Sequence, residues 1–311
     1  MVAVYVLLMA LILFVLCFFV VYGMVFYSPK KLRDKNPLDV LSGEEFEKIR
    51  DKAKTLIENL NSSKFEEITI KSRDGIELYA RYFHNFDNAP LEIIFHGYRS
   101  KSSVDGCGGF KMATDSGHNV LIVDQRAHGK SSGSVITFGI KERYDCLDWV
   151  NYCINRFGKD VKILLIGLSM GASTVLMASE LVDNKNVVGI IADCGFSSAK
   201  NIITKISSDM KLPSKMVYTM AFASAKILGH FDLEETDAVK AVKNSKVPVL
   251  LIHGESDTFV PSSMCKEIFD SCTSEKRILT VKNAGHGISY LVDEDSYLEA
   301  VNEFKTFVNV A

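Results

Sequence analysis

Apolar positions in this chain follow three different periods, and each period predicts a different element. From Val2 to Tyr27 the run VAVYVLLMALILFVLCFFVVYGMVFY carries no charged side chain. A membrane-spanning helix needs about 20 consecutive apolar residues, so residues 1–27 are expected to form a transmembrane anchor. A cleaved signal peptide would begin with basic residues and end on small ones, and neither is present. Residues 28–64 are polar and predict a connector with one helix. Ser42 and Glu45 have the spacing of a capping box. Phe46, Ile49, Ala53, Leu56, Ile57 and Leu60 then recur at helical intervals. Such a helix could cover part of a globular domain or lie near the membrane surface, and both placements stay open at this point.

From Phe65 the period changes to that of strands. Ile68–Ile70 and Ile76–Tyr82 alternate around Asp74-Gly75 and predict an antiparallel hairpin. Six short apolar runs follow: 91–95, 120–123, 161–166, 187–192, 247–252 and 277–281. Stretches of helical character, such as 141–157, 172–182 and 264–271, separate most of them. Strands apolar on both faces, alternating with helices, predict an α/β domain over 65–311 with a mainly parallel sheet flanked by helices. More than fifty residues separate the runs ending at Ala192 and starting at Val247. This connection includes the Met- and Phe-bearing stretch 216–228 and predicts a helical cap over about 195–246 that covers the active site.

Charge narrows the partners. Lys and Arg total 36 against 38 Asp and Glu, a net charge of −2, so nothing calls for nucleic acid. Lys30, Lys31, Arg33 and Lys35 follow the apolar run with only Asp34 among them. Positive charge favours the cytoplasmic side, so the folded domain is expected there. Seven cysteines without CxxC or metal-ligand spacing read as free thiols. Oligomeric state is not legible in these patterns.

The strongest chemical signal is Gly167-Leu168-Ser169-Met170-Gly171, between a predicted strand and a predicted helix. In that setting G-x-S-x-G forms a nucleophile elbow, a strained turn that projects the serine hydroxyl from the sheet. Gly167 and Gly171 are needed because side chains there would collide with neighbouring elements. A serine hydroxyl needs an adjacent base oriented by an acid, and in such folds these follow in the order Ser, acid, His. His286, in Asn283-Ala-Gly-His-Gly287, follows the last strand and is the expected base. Asp257, in the stretch His253 to Pro261, is the expected acid, with Glu255 and Asp193 as rivals. Asp193 is expected instead to hold the start of the insertion. The backbone N–H groups of Met170 and Tyr98 are expected to form the oxyanion hole. Gly97 would allow close approach, and His96 is read as a supporting residue. No metal or cofactor is called for.

A further loop reads Asp124-Gln-Arg-Ala-His-Gly-Lys-Ser-Ser-Gly133. The order HG-x, D-x-R-x-H-G-x-S, G-x-S-x-G, HG-x-x-D-x-x-VP and G-H resembles the α/β-hydrolase superfamily over about residues 65–311. Within it the chain is similar to membrane-anchored bacterial proteins described as serine esterases or serine aminopeptidase-like hydrolases. Relatives usually have D-x-R-G-H-G in this loop, where Ala127 stands here. The resemblance implies hydrolysis of a small-molecule or lipid-like ester through an acyl-enzyme, with thioesters and peptides as alternatives on the same residues. Serine at the elbow argues against haloalkane and epoxide hydrolases, whose covalent nucleophile is normally aspartate. A membrane-tethered binding protein that keeps the fold without turnover is the other class.

Overall fold

The structure, a computed structural model, describes residues 1–33, 47, 49–182 and 185–311. Asp34, Lys35, Ser42, Glu45 and Phe46, used in the sequence reading above, lie outside the described residues. In chain order the helices and strands are α1 (Val2–Val25), α2 (Arg50–Ser62), β1 (Glu66–Lys71), β2 (Glu77–Phe83), β3 (Leu91–Phe95), α3 (Ser102–Asp115), β4 (Asn119–Asp124) and α4 (Glu142–Phe157). They continue with β5 (Ile163–Leu168), α5 (Met170–Ala178), β6 (Val187–Asp193), α6 (Ala199–Asp209), α7 (Ser214–Ile227) and α8 (Ala238–Val242). The last are β7 (Val249–Gly254), α9 (Ser262–Ser271), β8 (Lys276–Val281), α10 (Ser289–Val292) and α11 (Glu294–Phe307).

Among the described residues, eight strands form one sheet in the order β1-β2-β4-β3-β5-β6-β7-β8. β1 and β2 pair antiparallel, β2 joins β4 antiparallel, and every later pairing is parallel. The period of two inside each strand feeds two cores. Ile93, Leu121, Leu165 and Leu251 pack toward α4, α5 and α9. Ile94, Ile122, Leu164 and Leu250 pack toward α2, α3 and α11. Burial on both faces is why these strands read as continuous apolar runs.

Glu92 breaks one such run. It is fully buried in β3, with Oε1 2.6 Å from His118 Nδ1 and 2.7 Å from Lys305 Nζ, itself buried. Removing one member of a buried ion pair strands the other charge. Lys305→Met is therefore expected to cost roughly 3–5 kcal/mol, read as a lowered midpoint in urea unfolding. An unchanged midpoint would show that His118 alone satisfies Glu92.

Two helices escape the sequence pattern. α3 carries Gly106, Gly108 and Gly109, which weaken helix propensity. A Cβ on Gly106 would sit 2.9 Å from Ile122 Cγ2, and one on Gly109 2.8 Å from Ile94 Cδ1. The glycines let the helix press onto the sheet. α11 closes the chain, with Tyr297, Val301 and Phe304 in the core. β5 and β7 each begin two residues later than their apolar runs and extend into the glycines that follow. The placement of α2 is also settled: Leu56 and Leu60 are buried in the core beside α3, so this helix covers the domain.

The long connection after β6 contains three helices with two destinations. α8 belongs to the main core through Ala238 and Val242. α6 and α7 form a separate apolar cluster with Phe26 just past the end of α1. Phe26 meets Phe231 edge-on at 5.4 Å, and Val21, Tyr22 and Val25 pack against the same cluster.

Candidate active site

β5 delivers Ser169 at its carboxyl end, and α5 starts at the next residue. The turn is tight. Ser169 has φ 55° and ψ −116°, a left-handed region that a residue with a Cβ rarely enters. Its N–H donates to the Asp193 carbonyl at 2.8 Å, tying the turn to β6. A Cβ on Gly167 would overlap the Gly171 backbone, and one on Gly171 would overlap the Phe95 carbonyl. Gly171→Ala must therefore displace β3 or α5. It is expected to destabilise the protein by about 3 kcal/mol, the upper range for overpacking, seen as a lower thermal midpoint. Retention of the wild-type midpoint would mean that the turn has more room than its backbone contacts indicate.

The loops after β7 and β8 bring two further groups to this hydroxyl. His286 Nε2 lies 2.9 Å from Ser169 Oγ, and His286 Nδ1 lies 2.7 Å from Asp257 Oδ2. The other carboxylate oxygen, Asp257 Oδ1, accepts from the N–H groups of Phe259 and Val260 at 2.9 and 2.8 Å. Burial alone would push the Asp257 carboxyl up. Hydrogen bonds from His253 and His286, with the Val260 N–H, outweigh it and hold the group well below the usual carboxylate range. His253 lies 3.3 Å from Asp257 Oδ2 and escaped the sequence reading as anything but part of a motif. Burial lowers its affinity for a proton, but Asp257, Cys265 and the Val260 carbonyl raise it more, to about 10.

The rival acids lie elsewhere. Glu255 is exposed, while the buried Asp193 accepts from the Tyr297 hydroxyl at 3.2 Å. Tyr297 belongs to α11, so Asp193 is held by the last helix and does not cap the insertion as expected. Burial pushes its carboxyl up to about 6, and its Oδ1 has no partner among the described residues.

Two backbone segments face the serine. Met170 opens α5, whose first backbone bond comes only from Ser173 N–H to Ser169 carbonyl, so the Met170 N–H precedes the intrahelical ladder. Gly97 approaches so closely that a Cβ would sit 3.3 Å from Ser169 Cβ. Its own N–H donates to Asp105 Oδ2 at 2.7 Å, which leaves Tyr98 as the next donor along the loop. His96 and His128 brace this loop from behind. His96 donates through Nδ1 to the Gly97 carbonyl, and its Nε2 accepts from the Gln125 N–H. His128 Nε2 accepts from the Arg99 N–H at 2.9 Å. Arg126 is ion-paired with Asp145 at 2.6 Å and Asp74 at 2.9 Å. Ala127 takes φ +60°, a backbone angle that favours glycine.

Comparison with known proteins gives the same fold. A family model described as the alpha/beta hydrolase fold matches residues 93–229. The esterase Pf2001 of Pyrococcus furiosus superposes with a TM-score of 0.64 at 23% identity, covering 80% of this chain and 92% of that one. The chain has the α/β-hydrolase fold. Est1E of Butyrivibrio proteoclasticus, solved with ferulic acid, superposes with a TM-score of 0.59 at 20% identity, covering 78% of this chain and all of that one. In sequence, YqkD of Bacillus subtilis is 26% identical over 241 residues, spanning 77% of this chain and 79% of that protein. Bem46 of Schizosaccharomyces pombe is 26% identical over 254 residues, spanning 77% and 76%.

Within this fold a cavity of about 590 Å³ opens at Ser169 and His286, a size suited to a small organic ligand. Its walls are α2, α3 and the α10 region, and among the described residues none comes from 195–246. The insertion expected to cover the site thus contributes no described residue to the lining of this cavity. α6 and α7 are occupied with the end of α1 instead. A larger cavity of about 840 Å³, beside Pro90, Arg156 and Ala311, shares no residue with it. It lies where β3 begins, whereas ligands of open α/β sheets bind at the carboxyl ends of strands. Cys194, Asp257 and His286 also bring possible metal-ligand atoms within 4.8 Å of one another. They fit a cation poorly: the His286 and Asp257 atoms bond each other, and burial pushes the Cys194 thiol well up.

Proposed function

We propose that this α/β-hydrolase is a membrane-tethered serine esterase that cleaves carboxylic esters through an acyl-enzyme. The observation carrying this reading is the unbroken hydrogen-bonded series Ser169, His286 and Asp257 on a strained turn at the mouth of a cavity. Ser169 Oγ attacks the ester carbonyl carbon while His286 Nε2 takes the hydroxyl proton. The N–H groups of Tyr98 and Met170 hold the oxyanion. The C–O bond then breaks, and the alcohol leaves with the proton from Nε2. Water, deprotonated by the same nitrogen, attacks the acyl-enzyme, which releases the acid and restores the serine. Asp257 stays ionised throughout, fixing the imidazole tautomer and stabilising the imidazolium. The likeness to the esterase Pf2001 supports the choice of substrate class. Full-length protein is expected to bind a fluorophosphonate probe covalently, with the adduct on the Ser169 peptide. No adduct at a hundredfold excess of probe would refute an activated serine.

α1 supports the tether. At 1.5 Å per residue its 24 residues extend about 36 Å, enough to cross the hydrocarbon core. Tyr98 donates its hydroxyl to the Val25 carbonyl at 2.9 Å, and Arg99 Nη2 donates to the Met24 carbonyl at 2.9 Å. The loop that bears the oxyanion donor thus also caps the anchor, which keeps the site close to the bilayer surface. The basic residues after α1 favour a cytoplasmic domain. Protease added to intact cells is expected to spare the domain. Its digestion from outside would reverse the orientation, and a mature N-terminus beyond Tyr27 would remove the anchor.

A further inference from the structure

The cavity at Ser169 has ends of different character. Near the serine lie Asp105 and Asp193. Asp105 is engaged by the Gly97 N–H and by the Ser100 hydroxyl, both at 2.7 Å, and Asp193 by Tyr297. Another part of the lining is α2, which contributes Ala53, Leu56 and Ile57. There Ala53 and Ile57 pack with Val104 of α3, backed by Cys107 and Leu291, so that end offers only carbon and sulfur. The Cys107 thiol is pushed up to about 12 by burial and adds no charge. α2 is amphipathic and its outer side is pinned by Lys52, whose ammonium lies 2.7 Å from Glu294. A helix that precedes the hydrolase sheet in sequence therefore completes its pocket.

We propose that α2 is the end wall of a pocket for the hydrocarbon chain of the ester substrate, and that Ala53 sets the chain length accepted. This rests on the esterase reading above. The chain could belong to the acyl group or to the alcohol, and the chemistry of the wall is the same for both. Ala53 is the smallest side chain on this wall and is itself buried, so enlarging it shortens the pocket directly. Each buried methylene contributes about 0.8 kcal/mol, so excluding two is expected to cost about tenfold in kcat/KM.

The experiment uses full-length wild type, Ala53→Phe and Ile57→Ala in detergent. One arm varies the acyl chain in p-nitrophenyl esters from acetate to dodecanoate; the other varies the alcohol in acetate esters. In one of the two series, Ala53→Phe is expected to lower the long-chain to short-chain ratio of kcat/KM about tenfold or more. Ile57→Ala, which enlarges the cavity, is expected to move the optimum toward longer chains in the same series. The arm that responds identifies which part of the ester the pocket holds. Should Ala53→Phe fail to fold, the shift in Ile57→Ala carries the test. Wild-type profiles in every folded variant would overturn the α2 wall and leave the esterase intact, whereas a wild-type protein that turns over no ester would overturn both.

Discussion

Ser169→Ala is expected to lower ester turnover by about 10⁶-fold and to abolish fluorophosphonate labelling, with little loss of stability. Among the described residues the hydroxyl hydrogen-bonds only to His286 Nε2, and the residue is held in place by its backbone. The N–H bond to the Asp193 carbonyl survives the substitution, as do the close approaches of Gly167 and Gly171. Alanine also tolerates the φ of 55° about as well as serine does. What disappears is the atom that forms the acyl bond in the proposed mechanism. The residual rate should be that of water activated near the oxyanion donors. Burst kinetics with a p-nitrophenyl ester would separate the two regimes, because an acyl-enzyme burst requires Oγ. A mutant that keeps a burst and near-normal turnover would remove Ser169 from the mechanism.

Much of this arrangement can be read from the chain, for identifiable reasons. Strands buried on both faces leave continuous apolar runs, so the parallel sheet was visible. G-x-S-x-G leaves a mark because backbone overlap forbids any side chain at Gly167 or Gly171. His286 and Asp257 were visible through chain order and the strand ends that carry them; Ser169, 117 residues from His286, meets it only in the fold. α3 was hidden because the glycines that let it approach the sheet also erase its helical pattern. The cavity wall was hidden for another reason. Ala53, Leu56 and Ile57 show that α2 has an apolar face, but periodicity does not say what that face covers. The insertion misled for the same reason: its Met- and Phe-bearing stretch marks an apolar surface, and the end of α1 occupies it. The partner of Asp193 was hidden because α11, the element that supplies Tyr297, was not among the predicted helices.

Asp257→Asn is expected to reduce turnover about 10⁴-fold with little change in apparent substrate binding, while Asp193→Asn should leave most activity. At Asp257 both oxygens are committed, Oδ2 to His286 Nδ1 and Oδ1 to two backbone N–H groups. An asparagine would keep its carbonyl on the backbone donors, since an amide nitrogen cannot accept from them. Its NH₂ would then face His286 Nδ1 and force that nitrogen to accept. The proton moves to Nε2, where it blocks abstraction from Ser169; the protease example of this tautomer effect loses a similar factor. At Asp193 the balance is the reverse. Its carboxyl is raised from 3.8 to about 6 by burial, so the folded state binds its proton more tightly than the unfolded chain does. The linkage then destabilises the fold as pH rises from about 4 to 6, and above that range the charge costs about 3 kcal/mol. Asparagine keeps an acceptor for the Tyr297 hydroxyl and carries no charge. Asp193→Asn should therefore unfold at a higher midpoint than wild type at pH 8, and this gain should largely vanish at pH 4. Steady-state kinetics and melts of both single mutants, at both pH values, separate the two roles. A severe activity loss in Asp193→Asn beside a mild one in Asp257→Asn would transfer the catalytic acid to the end of β6.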